Sequence, residues 1–242
     1  MSEQPGLSVW PVHGVGEVTA NTDLGELFAL LLGKNAGGLM LLDGDVLVVT
    51  QKVISKAEGR IVSLDHGDEN AKAALIEQES VRILRRRGTL MITETTHGFV
   101  CANAGIDLSN VEDGTAALLP LDPDRSARRL RADLRRLLGV DIAVIISDTF
   151  GRTWRQGVTD IAIGSAGIAP ILDLRGTLDA NGRELVATEV CVADEITAAA
   201  DLVMGKASDI PAAIIRGCDQ SWFAEGSIGE DVIRSPQDDL FR

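Results

Sequence analysis

Four segments of this 242-residue chain carry side chains that could do chemistry together. At the end of the apolar run Val140–Ser147 (VDIAVIIS), Ser147, Asp148 and Thr149 set a carboxylate between two hydroxyls. Adjacent hard oxygens of this kind suit Mg²⁺ or Mn²⁺; the alternative is an Asp capping a turn. The stretch Asn103–Asn110 (NAGIDLSN) gathers two amides, Asp107 and Ser109. Asp107 is a candidate second metal ligand there and Asn110 a candidate for a base or ribose edge, against an Asx-rich surface turn. In Thr50–Arg60 (TQKVISKAEGR), Gln51, Lys52 and Lys56 follow a strand, as a phosphate-handling segment or as a solvated basic turn. The Gly-x4-Gly-Lys phosphate loop is missing from it. Finally, Arg152 and Arg155 lie just after Asp148, placed to grip an anionic substrate or to pair with neighbouring acids. The string Asp148–Gly151 (DTFG) lacks the accompanying loops of a protein kinase, which is excluded.

The elements that must position these groups follow from periodicity and punctuation. Asp45–Thr50 and Val140–Ser147 predict buried strands, with the chain entering a Gly-containing loop from Asp148 onward. Apolar spacing from Glu69 to Arg87 predicts one helix ending at Gly88. Short strands are expected at Leu90–Thr93 and Phe99–Cys101, about a turn at His97-Gly98. Asp122-Pro123 opens a helix running to Leu138 and stopped by Gly139. A further helix spans Asp194–Met204, stopped by Gly205, and Pro211–Arg216 is a strand. Strands and helices mix without strict alternation, so the fold class is α+β. One domain covers the chain, with a smaller subdomain expected at about 85–185 and a linker-like tail at about 226–242.

Composition excludes several functions. The net charge of −13 opposes non-specific nucleic-acid binding, which needs a basic footprint. No apolar run reaches the ~18–20 residues of a membrane span, and no secretory signal is visible at the start. Cys101, Cys191 and Cys218 have neither zinc nor disulfide spacing, so a reducing cytoplasm is expected. The arginines of 125–136 read as an exposed face paired with acids. The histidines form no metal set, and no Ser/His/Asp or Cys/His arrangement is supported.

Taken together, these segments resemble one family along nearly the whole chain: the gamma-glutamyl ligases of deazaflavin coenzyme biosynthesis, coenzyme F-420-0:L-glutamate ligase. The matching stretches are Pro11–Glu17 (PVHGVGE), Asp45–Arg60, Asn103–Asn110, Leu121–Ser126 (LDPDRS), Ser147–Arg152 (SDTFGR), Val192–Glu195 (VADE) and Val203–Pro211 (VMGKASDIP). The resemblance implies an unusual α+β fold and an intertwined homodimer. It implies a GTP-dependent ligase that joins L-glutamate to the carboxylate of the phospholactyl tail through an acyl phosphate, and then adds further glutamates by gamma linkages. Asp107 and Asp148 would be catalytic, and Asp107, Asp148 and Thr149 would ligate Mg²⁺ or Mn²⁺, with K⁺ as a further candidate ion. GTP contacts would fall on Gly14, Val15, Gly16, Glu17, Gln51, Lys52, Lys56 and Asn110, and on the loop Met204, Gly205, Lys206, Ala207, Ser208, Asp209, Ile210 and Pro211. Where the family pattern carries Gln or Glu after Met-Gly, this chain has Lys206, which offers no acceptor, in a loop one residue shorter. Either a second metal is held with more water, or Lys206 meets a phosphate. Glu58, Glu195 and His97 are candidates to deprotonate the incoming ammonium. The ending Asp238–Arg242 resembles the junction to a nitroreductase-like domain in actinobacterial two-domain forms. A metal-dependent phosphohydrolase and a non-catalytic docking module are the alternatives.

Overall fold

The structure is a computed structural model that describes residues 6–240. Phe241 and Arg242, the last two residues of the junction-like ending, lie outside them. In chain order the elements are β1 (Ser8–Pro11), α1 (Leu24–Leu32), β2 (Val46–Thr50), α2 (Gln51–Ala57), β3 (Ile61–Ser63), α3 (Glu69–Gln78), β4 (Ser80–Arg87), β5 (Leu90–Thr95) and β6 (Val100–Ala102). There follow β7 (Thr115–Ala117), α4 (Pro123–Leu138), β8 (Ala143–Gly151), β9 (Val158–Ala166), β10 (Ile171–Asp173), β11 (Glu189–Cys191), α5 (Val192–Met204), β12 (Ala212–Arg216) and α6 (Ile228–Asp231).

A five-stranded sheet, β1-β12-β2-β8-β9, carries the core. Only β2 and β8 pair in parallel. Val46–Val49 and Ala143–Ile146 are fully buried, as continuous apolar strands covered on both faces should be. The helices α4 and α5 pack on this sheet, and α1 packs on α4. Gly164 of β9 lets α4 approach: a Cβ there would lie 2.4 Å from the Pro123 carbonyl carbon. The three-stranded sheet β4-β5-β6 stands apart from it, as do the pairs β3-β7 and β10-β11. The architecture is α+β, as the mixed pattern indicated. Among the described residues, no helix is long and apolar enough to cross a membrane.

Two expectations are corrected. The segment 69–87 is not one helix. It breaks after Gln78, and Ser80–Arg87 turns back as a strand against β5, from Arg87↔Leu90 to Ser80↔Thr95. Its apolar spacing suited a helix, but the Gly88-Thr89 turn allows a hairpin whose cross-strand pairs win. Nor does the chain leave the sheet at Asp148. After a bulge between Ile146 and Ser147, β8 runs on to Gly151, because β9 returns to pair with it. The tail also returns to the body: Asp124 Oδ1 accepts from the Ile228 amide at 2.9 Å, and Ile228 is fully buried.

Candidate active site

The parallel register fixes where the site forms. Thr50 lies opposite Ser147. Gln51 and Lys52, which open α2, therefore emerge beside Asp148 and Thr149, at strand ends of the kind where ligands collect in parallel sheets. Side chains alternate along β8. Ser147 and Thr149 face Asp160 of β9, and Asp148 faces the other way.

Asp107 is carried in by a strained segment. Asn103, Ala104 and Gly105 take φ of 51°, 56° and 69°, three left-handed residues in succession. They are held because Asn103 Oδ1 accepts from the Met91 amide (3.0 Å) and Thr93 Oγ1 from the Ala104 amide (3.1 Å). Asp107 then exchanges two 2.9 Å backbone bonds with Ala117. Its carboxylate accepts from the Ser109 amide at 2.7 Å and pairs with Lys52 Nζ at 2.8 Å. Lys52 also donates to Ser109 Oγ at 3.0 Å. Burial raises the Asp107 pKa, but the Lys52 ammonium and the Ser109 amide outweigh it and hold the group below the ordinary carboxylate range. Thus Asp107 makes an Asx turn and also faces a site cation.

Asp148 behaves in the opposite way. Burial pushes its pKa up to about 7, and the nearby charges of Asp107 and Asp160 push in the same direction. The Thr149 amide and Lys52 act against them. A half-buried carboxyl beside two others is a place where a cation would replace a proton. On the far face of β8, Thr149 Oγ1 donates to Asp160 Oδ1 at 2.6 Å. Lys206 Nζ donates to both, at 2.6 and 2.5 Å, and forms an ion pair with Asp201 at 2.9 Å.

The remaining segments converge here too. Glu17 pairs with Lys56 at 2.5 Å, which brings Gly14–Glu17 alongside α2. Thr50 donates its amide to the Pro211 carbonyl at 2.9 Å, which fixes the end of the Met204–Pro211 loop. Val15 and Met204 are buried in the core. Asn110 is exposed with φ 52°, and among the described residues no hydrogen bond holds its side chain. Gln51 is buried; its Oε1 accepts from the Ser55 hydroxyl at 2.7 Å, and among the described residues its Nε2 has no partner. Such an orphaned donor suits a ligand oxygen.

Not every candidate joins the site. Among the described residues Arg152 forms no ion pair; it donates to the Gln156 carbonyl at 2.6 Å and closes the β8–β9 turn. Of the α4 arginines, Arg128 pairs with Asp122, Arg131 with Asp141 and Glu225, and Arg136 with Asp133. Glu58 accepts from the Ser126 hydroxyl, His97 Nε2 lies 2.8 Å from the Pro120 carbonyl, and Glu195 is exposed. Among the described residues no bond or ion pair joins these three to Asp107, Asp148 or Lys52. The cysteine thiols are pushed up by burial, Cys101 and Cys191 to about 12. A 240 Å³ cleft lined by Asp23, Glu58, Arg129 and Asp133 lies past the far end of α2 and includes no member of the carboxylate cluster. Asp160 and Asp201 are the site residues that motif reasoning missed. Alternation in Thr159–Ala166 after the Gly157 turn could have found Asp160, since a hairpin returning on β8 sets it opposite Thr149.

Among the described residues, no three His, Cys, Asp or Glu side chains close around one point. The donor set nevertheless fits a hard divalent ion. Mg²⁺ commonly takes one or two carboxylates and completes its shell with water and phosphate oxygens. Asp107 and Asp148 would supply the carboxylates.

A profile of the F420-0:Gamma-glutamyl ligase family matches residues 14–217. The coenzyme F420:L-glutamate ligase of Methanothermobacter thermautotrophicus is 42% identical over 252 residues, covering 98% of this chain and 99% of the relative. Those of Methanopyrus kandleri and Archaeoglobus fulgidus, with the same name, are each 41% identical; they cover 100% and 98% of this chain and 100% and 96% of the relatives.

Proposed function

The chain belongs to the F420-0:Gamma-glutamyl ligase family, and we propose that it uses GTP to join L-glutamate to the phospholactyl carboxylate of a deazaflavin coenzyme precursor, adding further glutamates by gamma linkages. A carboxylate oxygen is a poor leaving group, so the acid must first be activated. Its oxygen attacks the γ-phosphorus of GTP, the bond to the bridging oxygen breaks, and GDP departs from an acyl phosphate. The glutamate nitrogen, having lost a proton, then attacks the carbonyl carbon and expels phosphate.

Phosphoryl transfer depends chiefly on positioning and charge neutralisation. The observation that carries the proposal is the convergence of Asp107, Lys52 and Asp148 at one end of the β2–β8 pair. A divalent ion held by Asp107 and Asp148 would supply charge neutralisation at the phosphates. Lys52 orients Asp107 and places a positive charge beside the phosphates, and Lys56 adds a second from the next turn of α2. The buried Gln51 Nε2, without a partner among the described residues, would donate to a ligand oxygen.

The test is to follow GTP consumption by the purified protein with each acceptor in turn. A ligase hydrolyses little GTP alone and releases GDP in step with glutamylated product when both acceptors are present. Acceptor-independent hydrolysis would instead mark a phosphohydrolase, and absence of metal-dependent GTP binding would mark a non-catalytic module.

A further inference from the structure

The second carboxylate cluster contains a positive charge of its own. Asp160 is 3% exposed, and its Oδ1 receives both the Thr149 hydroxyl and the Lys206 ammonium. Asp201, on the last turn of α5, turns its buried Oδ1 toward the same ammonium, and among the described residues that oxygen has no other partner. Three oxygens from β8, β9 and α5 thus lie 2.5–2.9 Å from one nitrogen. An ammonium has three N–H groups and no acceptor, so it can bridge such a set much as an inorganic cation would. The lysine is itself fastened: the amide of Gly205 donates to the Asp201 carbonyl at 2.9 Å, and the Ser208 hydroxyl donates to the Met204 carbonyl. One positive charge faces two carboxylates, so the position stays attractive to positive charge.

We propose that Lys206 is a tethered cation, filling with its side chain a position over Thr149, Asp160 and Asp201 that would otherwise collect a divalent ion. It would be a positioning residue: it holds Thr149 and Asp160 in place and neutralises charge on the face of β8 opposite Asp148, so that the chain needs one free ion fewer. Its catalytic meaning rests on the site handling phosphate, but its geometry does not.

The test is a count of bound Mn²⁺ per chain, from the loss of the free-ion paramagnetic resonance signal, with Mn²⁺ alone as the probe. Lys206→Gln and Lys206→Ala remove the ammonium from a half-exposed loop residue and should each bind one Mn²⁺ more than the natural chain. Lys206→Arg keeps the charge and should leave the count unchanged. Adding Asp160→Asn to Lys206→Gln should abolish the extra ion. An equal count in the natural chain and in both neutral variants overturns the proposal. Failure of the Asp107–Asp148 metal reading would appear separately, as an unchanged count in Asp148→Asn.

Discussion

Replacing Asp148 with Asn should stabilise the fold while destroying ligation. The two effects have one cause, a carboxyl kept in a place that disfavours its charge. In the folded chain burial lifts its pKa from 3.8 to about 7. A rise of about three pH units at ~1.4 kcal/mol each is a full cost of about 4 kcal/mol. The sign follows from the protons bound. Below about pH 3.8 the group is neutral folded and unfolded, and costs nothing. As pH rises the unfolded chain ionises first, so stability falls until the folded group also ionises near 7. Asparagine removes this dependence. Its stability advantage over the natural chain should therefore grow by about 3 kcal/mol between pH 5 and pH 8. Urea unfolding without metal, at both values, measures it. Turnover of GTP in the presence of both acceptors should fall by at least about 100-fold, the upper end of losses seen when groups that merely orient metal ligands are removed. An advantage that stays flat with pH would refute the electrostatics, and natural turnover would remove Asp148 from the mechanism.

Because a proton and a metal compete for Asp148, Mn²⁺ affinity should be about tenfold weaker at pH 6 than at pH 8, measured calorimetrically. Gly105→Ala should destabilise by about 2–4 kcal/mol, read as a shift in the urea midpoint. A Cβ there would lie 2.8 Å from buried Leu119, on a residue with φ 69°. Arg216→Met should cost about 3–5 kcal/mol in the same assay, since it strands Asp45, which is fully buried and bonded by Nε and Nη2 of the guanidinium, each at 2.7 Å.

Elements with their own end signals were legible in the sequence. The helix α4 begins at Pro123, capped by Asp122, and ends at left-handed Gly139, as its punctuation required. The strand β2 was visible as an uninterrupted apolar run. What failed depended on pairing with a neighbouring strand or on burial, which end signals do not show. Ser80–Arg87 carries apolar residues that satisfy helical spacing, and only its pairing with β5 decides for strand. The strand β9 opens with Val158, Thr159 and Asp160 and contains Gly164, so the polar residues near its start hid it, and with it Asp160. The helix α2 follows β2 with no connecting residue and buries Gln51 and Ser55, so it looked like a turn. For the site, the motifs named Asp107, Asp148 and Lys52, which the fold brings together. Neither motif nor composition could show that adjacent Asp148 and Thr149 face opposite sides of one strand, or that Lys206 closes on Asp160.

The central claim is that Asp107 and Asp148 share a divalent ion that carries the phosphates of GTP. Crystals grown with Mn²⁺ and a non-hydrolysable GTP analogue test it most directly, through the anomalous signal of the metal. The account predicts a peak within coordination distance of both carboxylates, touching phosphate oxygens, with Lys52 alongside. Nucleotide bound elsewhere, or a peak that touches neither aspartate, would contradict it.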